Sequence, residues 1–272
     1  MAWRPNKPFY TIINDLGLSQ GLQICLDAGD AASYTSGQTW GNLGSSAGFF
    51  LGATSGAAAD DPTFVGVAGD VKDTTYFSFD GGDMFRYSAA NTAWMDSIHK
   101  AGAKYTFAAW IYFGSLAGLQ NICGDRGAAG GTGFYFYVGN DGSVNLIVQN
   151  AGVDAKNTGT AAGFAVASAW QFCTLTFDET IGASGATFSV NGVTSQVSST
   201  YTSPASGAAS FTLEIGARGN SDTLLPNLSR IGFFGVWNRK LSDAEIQLLY
   251  AYPAMVYSGA GTVMNIREVQ GY

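Results

Sequence analysis

The feature that most constrains the fold is a run of short apolar segments, separated by tight turn signals, from Tyr105 onward. The segments are TFAAWIYF, GFYFYV, VNLIV, FCTLTF, ATFSVNG, FTLEIGA and RIGFFGVW. Between them stand Asn140-Asp141-Gly142 and Asn191-Gly192, and Asn-Gly between apolar runs is a strong hairpin signal. Because the segments are too close for crossover helices, the sheets must be mainly antiparallel. The pattern predicts an all-β fold, a two-sheet antiparallel β-sandwich.

The composition supports this prediction and excludes two classes of partner. Glycine makes up 37 of 272 residues and charged residues only 12%, about half the usual charged share. Many glycines suit a protein with many turns, and an aromatic content of 14% is enough to bury a large core. The net charge of -7 gives no electrostatic attraction for nucleic acid or for an anionic membrane.

The two ends of the chain differ from its body. Residues 1–20 combine two prolines with an apolar FYTII and predict an extended N-terminal arm. Residues 21–254 are expected to form the sandwich domain. Residues 255–272 are polar and rich in glycine, and predict a C-terminal tail with a weak strand in TVMNIREV.

Helix signals occur at two places. In LSDAEIQLLY, Ser242 and Glu245 form a capping box, and we expect one short C-terminal helix that ends before Pro253. A shorter helix is predicted over residues 91–100, with Asn91 as its N-cap. The only histidine of the chain, His99, would then lie on a surface helix as a solvated or capping residue.

Signals of cellular location point to synthesis in a reducing cytoplasm. The first residues lack the apolar core of a secretory signal. Residues 105–124 and 157–177 carry little charge, but polar residues and glycines interrupt both, so no membrane insertion is expected. The three cysteines, Cys25, Cys123 and Cys173, lie in apolar stretches without a CxxC motif and predict buried free thiols.

The order of the segments resembles the concanavalin A-like lectin/glucanase superfamily, in its laminin-G-like branch. The resemblance rests on FDGGDMFRY, TFAAWIYF, WQFCTLTFD, ATFSVNG, LEIGARG and FFGVWNRKLSDAEIQLLY, and covers residues 74–250 approximately. It implies a jelly roll.

An upstream segment, GLQICLDAGDAASYTSGQTWGNLGSSAGFFLGA with a later DDPTF, resembles a segment found before such domains in structural proteins of tailed bacteriophages. The matching residues are Asp27, Ala28, Tyr34, Trp40, Leu43, Pro62 and Phe64. This resemblance implies a virion protein, such as a head or tail fibre or decoration subunit, that is synthesised in the host cytoplasm. Its partners would be other virion proteins and copies of itself.

Enzymatic activity is not expected. A retaining glycosidase needs two carboxylates about 5–5.5 Å apart, and the superfamily's glucanases supply them from an E-x-D-x-x-E strand that this chain lacks. Of its four glutamates, only Glu214 lies inside a predicted strand, without an acidic partner nearby. Serine or cysteine catalysis would depend on His99 alone. A polysaccharide-cleaving enzyme is the weakest alternative and would depend on Glu214.

Aromatic and polar residues in strands and loops suggest glycan binding, because sugar rings stack on aromatic faces and polar groups bind their hydroxyls. The candidates are Tyr34, Trp40, Arg126, Tyr135, Tyr137, Asn140 and Asp141. In GFYFYV, the two tyrosines alternate with phenylalanines and share one face of the strand. The alternative is that they pack under a neighbouring subunit. Trp110, Trp170 and Trp237 are expected in the core.

Calcium is the one cofactor left open, and no other is predicted. Related sandwiches often bind Ca²⁺ through Asp, Asn and carbonyl oxygens in rim loops, and Asp80 and Asp83 in DGGD are the local candidates. The alternative is that both aspartates bind their own turn.

Two functions from different classes follow. The first is a non-enzymatic virion structural protein with a lectin-like fold that also contacts host-surface polysaccharide. The second is a dedicated carbohydrate-binding adhesin.

Overall fold

The computed structural model describes residues 7–127, 131–197 and 207–257. The first half contains α1 (Phe9–Asp15), β1 (Leu22–Asp27), β2 (Thr39–Trp40), β3 (Phe49–Leu51), β4 (Thr63–Val65), β5 (Tyr76–Ser78), β6 (Phe85–Tyr87), β7 (Lys104–Tyr112) and β8 (Gln120–Gly124). The second half contains β9 (Gly133–Val138), β10 (Val144–Asn150), β11 (Val153–Gly159), β12 (Trp170–Asp178), β13 (Ala186–Val190), β14 (Val193–Val197), β15 (Glu214–Ile215), β16 (Arg230–Trp237) and α2 (Asp243–Tyr257). Short 3-10 turns span Met95–Ser97 and Glu179–Ser184.

The strands form two sheets of eight strands each. Sheet A has the order β14-β13-β12-β7-β16-β5-β4. Both β5 and β1 pair with the edge of β16 that faces away from β7: β5 pairs with its start and β1 with the rest. Sheet B has the order β11-β10-β9-β8-β15-β6-β3-β2. Neighbouring named strands pair antiparallel in both sheets, so the predicted antiparallel sandwich is confirmed.

The main core lies between the sheets and is rich in phenylalanine. Phe107 of sheet A lies 5.2 Å from the ring of Phe134 in sheet B and 6.3 Å from Phe234 of its own sheet. Side chains alternate along a strand, so the residues on either side of each core phenylalanine in its strand point to the outer face of the sheet. Cys123 and Cys173 lie in this core, and Cys25 lies under the outer helices. All three are free and buried, as predicted.

The outer face of sheet A carries a second apolar layer, which corrects the prediction of an extended arm. Phe9–Asp15 form a helix whose buried residues are Phe9, Ile12 and Ile13, at the i, i+3 and i+4 spacing of one helix face. The ring of Phe9 stacks on Phe233 at 4.2 Å, and its backbone N–H donates to Asp27 Oδ2. Tertiary packing thus decides the conformation of a segment whose own sequence pattern is weak.

The C-terminal helix α2 completes this layer. Its capping box is confirmed: Ser242 N–H donates to Glu245 Oε2 at 2.7 Å, and Glu245 N–H donates to Ser242 Oγ. The helix continues through Pro253 to Tyr257, so the expected end before Pro253 is wrong. An interior proline removes one backbone hydrogen bond and need not end a helix. The predicted strand in TVMNIREV lies outside the described residues.

The segment 91–100 also differs from its prediction. Only Met95–Ser97 forms a 3-10 turn, because the Asn91 side chain binds the backbone of Phe211 and Leu213 instead of capping a helix. His99 is buried rather than solvated, and its Nε2 lies 3.0 Å from the carbonyl oxygen of Gly207. No helix within the described ranges is long and apolar enough to cross a membrane.

Candidate functional site

Two tyrosines on the outer face of sheet B form the centre of the candidate site. In β9, Phe134 and Phe136 point into the core, so Tyr135 and Tyr137 point outward. Their rings stack at 4.9 Å with an interplanar angle of 26°. Tyr135 is buried, whereas Tyr137 is half-buried. Tyr137 is therefore the ring of this pair that a ligand can reach.

Two guanidinium groups cover Tyr135. Arg126 Cζ lies 4.9 Å from the centre of the Tyr135 ring, and Arg218 Cζ lies 5.7 Å from it. Arg126 is itself buried, and its Nε has no hydrogen-bond partner in the described part of the chain. Arg218 pairs with Asp222. Tyr135 is thus enclosed by protein groups and serves to support Tyr137.

Amide and carboxylate side chains share the outer face of sheet B with Tyr137 because of the strand register. Asn145 of β10 stands directly opposite Tyr137, and Asn157 of β11 stands opposite Ile147 in the next row. Asn157 Nδ2 donates to Asp154 Oδ2 at 3.0 Å. Asp154 and Asn157 are exposed, and Asn145 is half-buried. We call Tyr137, Asn145, Asp154 and Asn157 the sheet-B site.

The Tyr137 hydroxyl stays protonated at neutral pH. Burial raises its pKa to about 12, and Tyr135, Asp154 and Asp141 contribute in the same direction. A neutral phenol can donate one hydrogen bond and accept others. A partly exposed aromatic ring with amides on the same face suits a ligand that has an apolar face and hydroxyl groups at its edge.

Asn140 and Asp141 lie in the turn between β9 and β10 and are exposed. Asp141 Oδ1 accepts hydrogen bonds from the backbone N–H and the hydroxyl of Ser143. These bonds lower the pKa of Asp141. The turn borders the sheet-B site, because Asn145 Nδ2 donates to the carbonyl oxygen of Ser143 at 2.9 Å. One oxygen of Asp141 holds the turn.

Tyr34 and Trp40 are placed elsewhere, in the core. Trp40 is fully buried, with its ring 4.7 Å from Phe77 and 4.8 Å from Phe85. Tyr34 is buried as well and packs on Phe64 and Phe77. Neither ring offers a face to a sugar, so both lie outside the site that the structure assembles.

Glu214, on which any glycosidase chemistry would depend, is fully buried in an ion pair. Its Oε1 accepts from Arg86 at 2.8 Å and 2.6 Å, and its Oε2 accepts from the backbone N–H of Ser221 at 3.0 Å. Burial raises its pKa, and the bonds from Arg86 oppose that effect. Both oxygens are thus engaged in holding β15 to β6 and to the loop after β15.

A family model for the concanavalin A-like lectin/glucanases superfamily matches residues 80–247. The chain belongs to this superfamily. No curated protein sequence matches it.

Solved structures agree with this superfamily fold. A Trypanosoma rangeli sialidase in complex with sialic acid is 13% identical with a TM-score of 0.56, over 87% of this chain and 33% of the sialidase. The binding domain of botulinum neurotoxin serotype D is 13% identical with a TM-score of 0.58, over 86% of this chain and 52% of that domain chain. This chain thus spans a third to a half of these proteins, and the likeness is one of fold.

Asp80 and Asp83, the candidate calcium ligands, bind the backbone of their own turn. Asp80 Oδ1 accepts from Gly82 N–H at 2.8 Å, and Asp83 Oδ2 accepts from Asp80 N–H at 2.7 Å. Burial raises the pKa of Asp83 to about 7, and neighbouring acids add to this. Among the described residues, no group of three His, Cys, Asp or Glu side chains could hold a metal ion.

The sequence-based predictions do not include three members of the site. Asn145, Asp154 and Asn157 come from β10 and β11. Strand register places Asn145 opposite Tyr137 and Asn157 in the row of Tyr135, and Asp154 accepts a hydrogen bond from Asn157. The alternation of apolar and polar residues in VNLIVQN predicts that Asn145 lies on the outer face of β10. Which strand lies beside β9, and in which register, is not encoded in either strand alone.

Proposed function

We propose that this chain is a non-enzymatic structural protein of a tailed-bacteriophage virion that binds host-surface glycan through the sheet-B site. The single observation that carries glycan binding is the half-buried Tyr137 ring, stacked on Tyr135, with the half-buried Asn145 opposite it and the exposed Asn157 on the same face. A sugar ring stacked on Tyr137 would place its hydroxyls within reach of Asn145 and Asn157. The lectin-like fold of the superfamily supports the same function.

The non-enzymatic part of the proposal is supported by the state of the acids. Glu214 is held on both oxygens by Arg86 and Ser221. Near the sheet-B site, Asp154 binds Gln149 and Asn157, and Asp141 binds Ser143. Each of these carboxylates has hydrogen-bond partners of its own, which suits a binding surface better than a glycosidase acid and nucleophile.

The virion context is supported by the resemblance of residues 21–64 to a segment found in structural proteins of tailed bacteriophages. That segment is integrated into the fold: Asp27 accepts from Phe9 N–H, and Trp40 packs in the core. The proposed partners are other virion proteins and copies of this chain. A dedicated adhesin remains the second candidate, and it would share the same glycan site.

A glycan array tests the binding function. We expect saturable binding to a host polysaccharide, and a loss of about tenfold or more in affinity for Tyr137→Ala. Tyr10→Ala is the matched control, because Tyr10 is a partly exposed tyrosine on α1, at the far face of the sandwich. Asn145→Ala should weaken binding less than Tyr137→Ala.

Two results would refute the proposal. One is the absence of binding across an array that includes the host capsule. The other is equal affinity for wild type and Tyr137→Ala. Cleavage of a polysaccharide that Glu214→Gln abolishes would instead establish the enzyme alternative.

A further inference from the structure

A second aromatic cluster lies on the outer face of sheet A, on the opposite side of the sandwich. Arg230 begins β16, and the register places Tyr112 of β7 beside it and Trp170 of β12 beside Tyr112. Tyr76 belongs to β5, which pairs with β16 on the side opposite β7. We call these four residues the Arg230 cluster.

The guanidinium of Arg230 lies between two tyrosine rings. Its Cζ is 4.6 Å from the centre of the Tyr112 ring and 4.9 Å from that of Tyr76. The Trp170 ring stands at steep angles to both tyrosines, 6.0 Å and 5.8 Å away. All four side chains are half-buried. The neighbouring row of the same face, Trp110 and Phe172, is covered by Tyr250 of α2.

Among the described arginines, Arg230 and Arg126 have no acidic partner, and of these two only Arg230 is partly exposed, because Arg126 is buried. Arg86, Arg218 and Arg239 each form an ion pair with a carboxylate. In the described ranges, no group accepts a hydrogen bond from the Arg230 guanidinium or forms an ion pair with it; the guanidinium lies against the two rings. The rings hold the guanidinium in position while its five N–H donors stay available.

This arrangement suits a carboxylate. A guanidinium presents a planar fork that matches two carboxylate oxygens, and a group already fixed in place loses little entropy on binding. A neutral ligand would form no ion pair with the Arg230 guanidinium. The adjacent Trp170 ring, half-buried, adds an apolar surface on which a pyranose ring can pack.

We propose that the Arg230 cluster is a second glycan site, which takes a carboxylate-bearing sugar, with the carboxylate on Arg230 and the sugar ring against Trp170. This site is separate from the sheet-B site. It neither requires nor excludes glycan binding there.

Isothermal titration at low salt tests the proposal with three probes: a galacturonic acid trisaccharide, the corresponding neutral galactose trisaccharide, and acetate. Wild type should bind the acidic trisaccharide at least about tenfold more tightly than either other probe. Arg230→Met should remove that preference, and Arg230→Lys should restore only part of it, because lysine keeps the charge but lacks the planar fork.

Two controls separate the site from charge and from the sheet-B site. Lys240→Met removes one positive charge elsewhere on the chain and should leave acidic-sugar affinity within about twofold of wild type. Tyr137→Ala should likewise leave acidic-sugar affinity within about twofold of wild type. Circular dichroism and the midpoint of thermal unfolding establish that each variant is folded.

Four results would overturn the proposal. They are no binding of the acidic trisaccharide by wild type, equal affinity for it in folded Arg230→Met, acetate binding as tight as the trisaccharide, and loss of acidic-sugar binding in Tyr137→Ala. If size-exclusion chromatography shows a wild-type dimer that Arg230→Met dissociates, with no effect on sugar binding, the cluster is a contact between copies instead.

Discussion

The packing of α1 on sheet A gives a quantitative test of whether the N-terminal segment is part of the domain. The Phe9 side chain is fully buried, and its ring stacks on Phe233 at 4.2 Å with an angle of 22°. Phe9→Ala removes that ring and leaves a cavity between helix and sheet. Such substitutions lower the free energy of unfolding by about 3–5 kcal/mol, a large part of the 5–15 kcal/mol typical of a domain.

Urea unfolding followed by circular dichroism measures this change. Tyr10→Ala is the matched control, because Tyr10 is the next residue of the same helix and is 36% exposed. We expect its effect to stay within about 0.5–1 kcal/mol. The substituting residue is the same in both variants, so the difference between them reports the burial of Phe9.

The reasoning is refuted if Phe9→Ala lowers the free energy of unfolding by less than about 1 kcal/mol. An effect equal to that of Tyr10→Ala would have the same meaning. Either result would show that α1 does not stabilise the sandwich, as expected for the extended N-terminal arm that the sequence pattern predicts.

Two further predictions concern buried acids. The pKa of Asp83 is raised from 3.8 to about 7, so protonated Asp83 stabilises the folded state at low pH, and about 2–3 kcal/mol of stability should be lost as the pH rises from 5 to 8. Asp83→Asn should reduce that loss, measured by urea unfolding at pH 5 and pH 8. Glu214→Gln should lower the free energy of unfolding by about 2 kcal/mol, because it leaves the Arg86 guanidinium without its counter-charge. A Glu214→Gln protein as stable as wild type would contradict the structural role of this pair.

Local sequence signals were sufficient for the sandwich and for the start of α2. Strand alternation places Phe134 and Phe136 inside and Tyr135 and Tyr137 outside, as the structure has them. The Asn191-Gly192 turn joins β13 to β14. Each of these signals acts within a few residues of chain, and this is why they could be read without knowledge of the tertiary structure.

The features that could not be predicted depend on distant parts of the chain. The helix at Phe9–Asp15 forms against Phe233. The burial of Trp40 depends on Phe77 and Phe85, although its own surroundings in the sequence are polar and glycine-rich. The same applies to His99, which lies against the carbonyl oxygen of Gly207. Tertiary contacts outweigh local pattern at each of these positions.

An arginine packs on tyrosine at both proposed sites, but the arginine is buried at the sheet-B site and partly exposed in the Arg230 cluster. Arg126 lies over Tyr135 and is only 6% exposed, so that contact is internal and closes one face of a ring. Arg230 also lies over tyrosines, but it is half-buried and has no acidic partner in the described part of the chain. Binding at the sheet-B site therefore depends on the open ring of Tyr137, whereas binding at the Arg230 cluster depends on charge. Since salt screens charge and leaves stacking largely unchanged, raising the ionic strength should weaken the second interaction and spare the first.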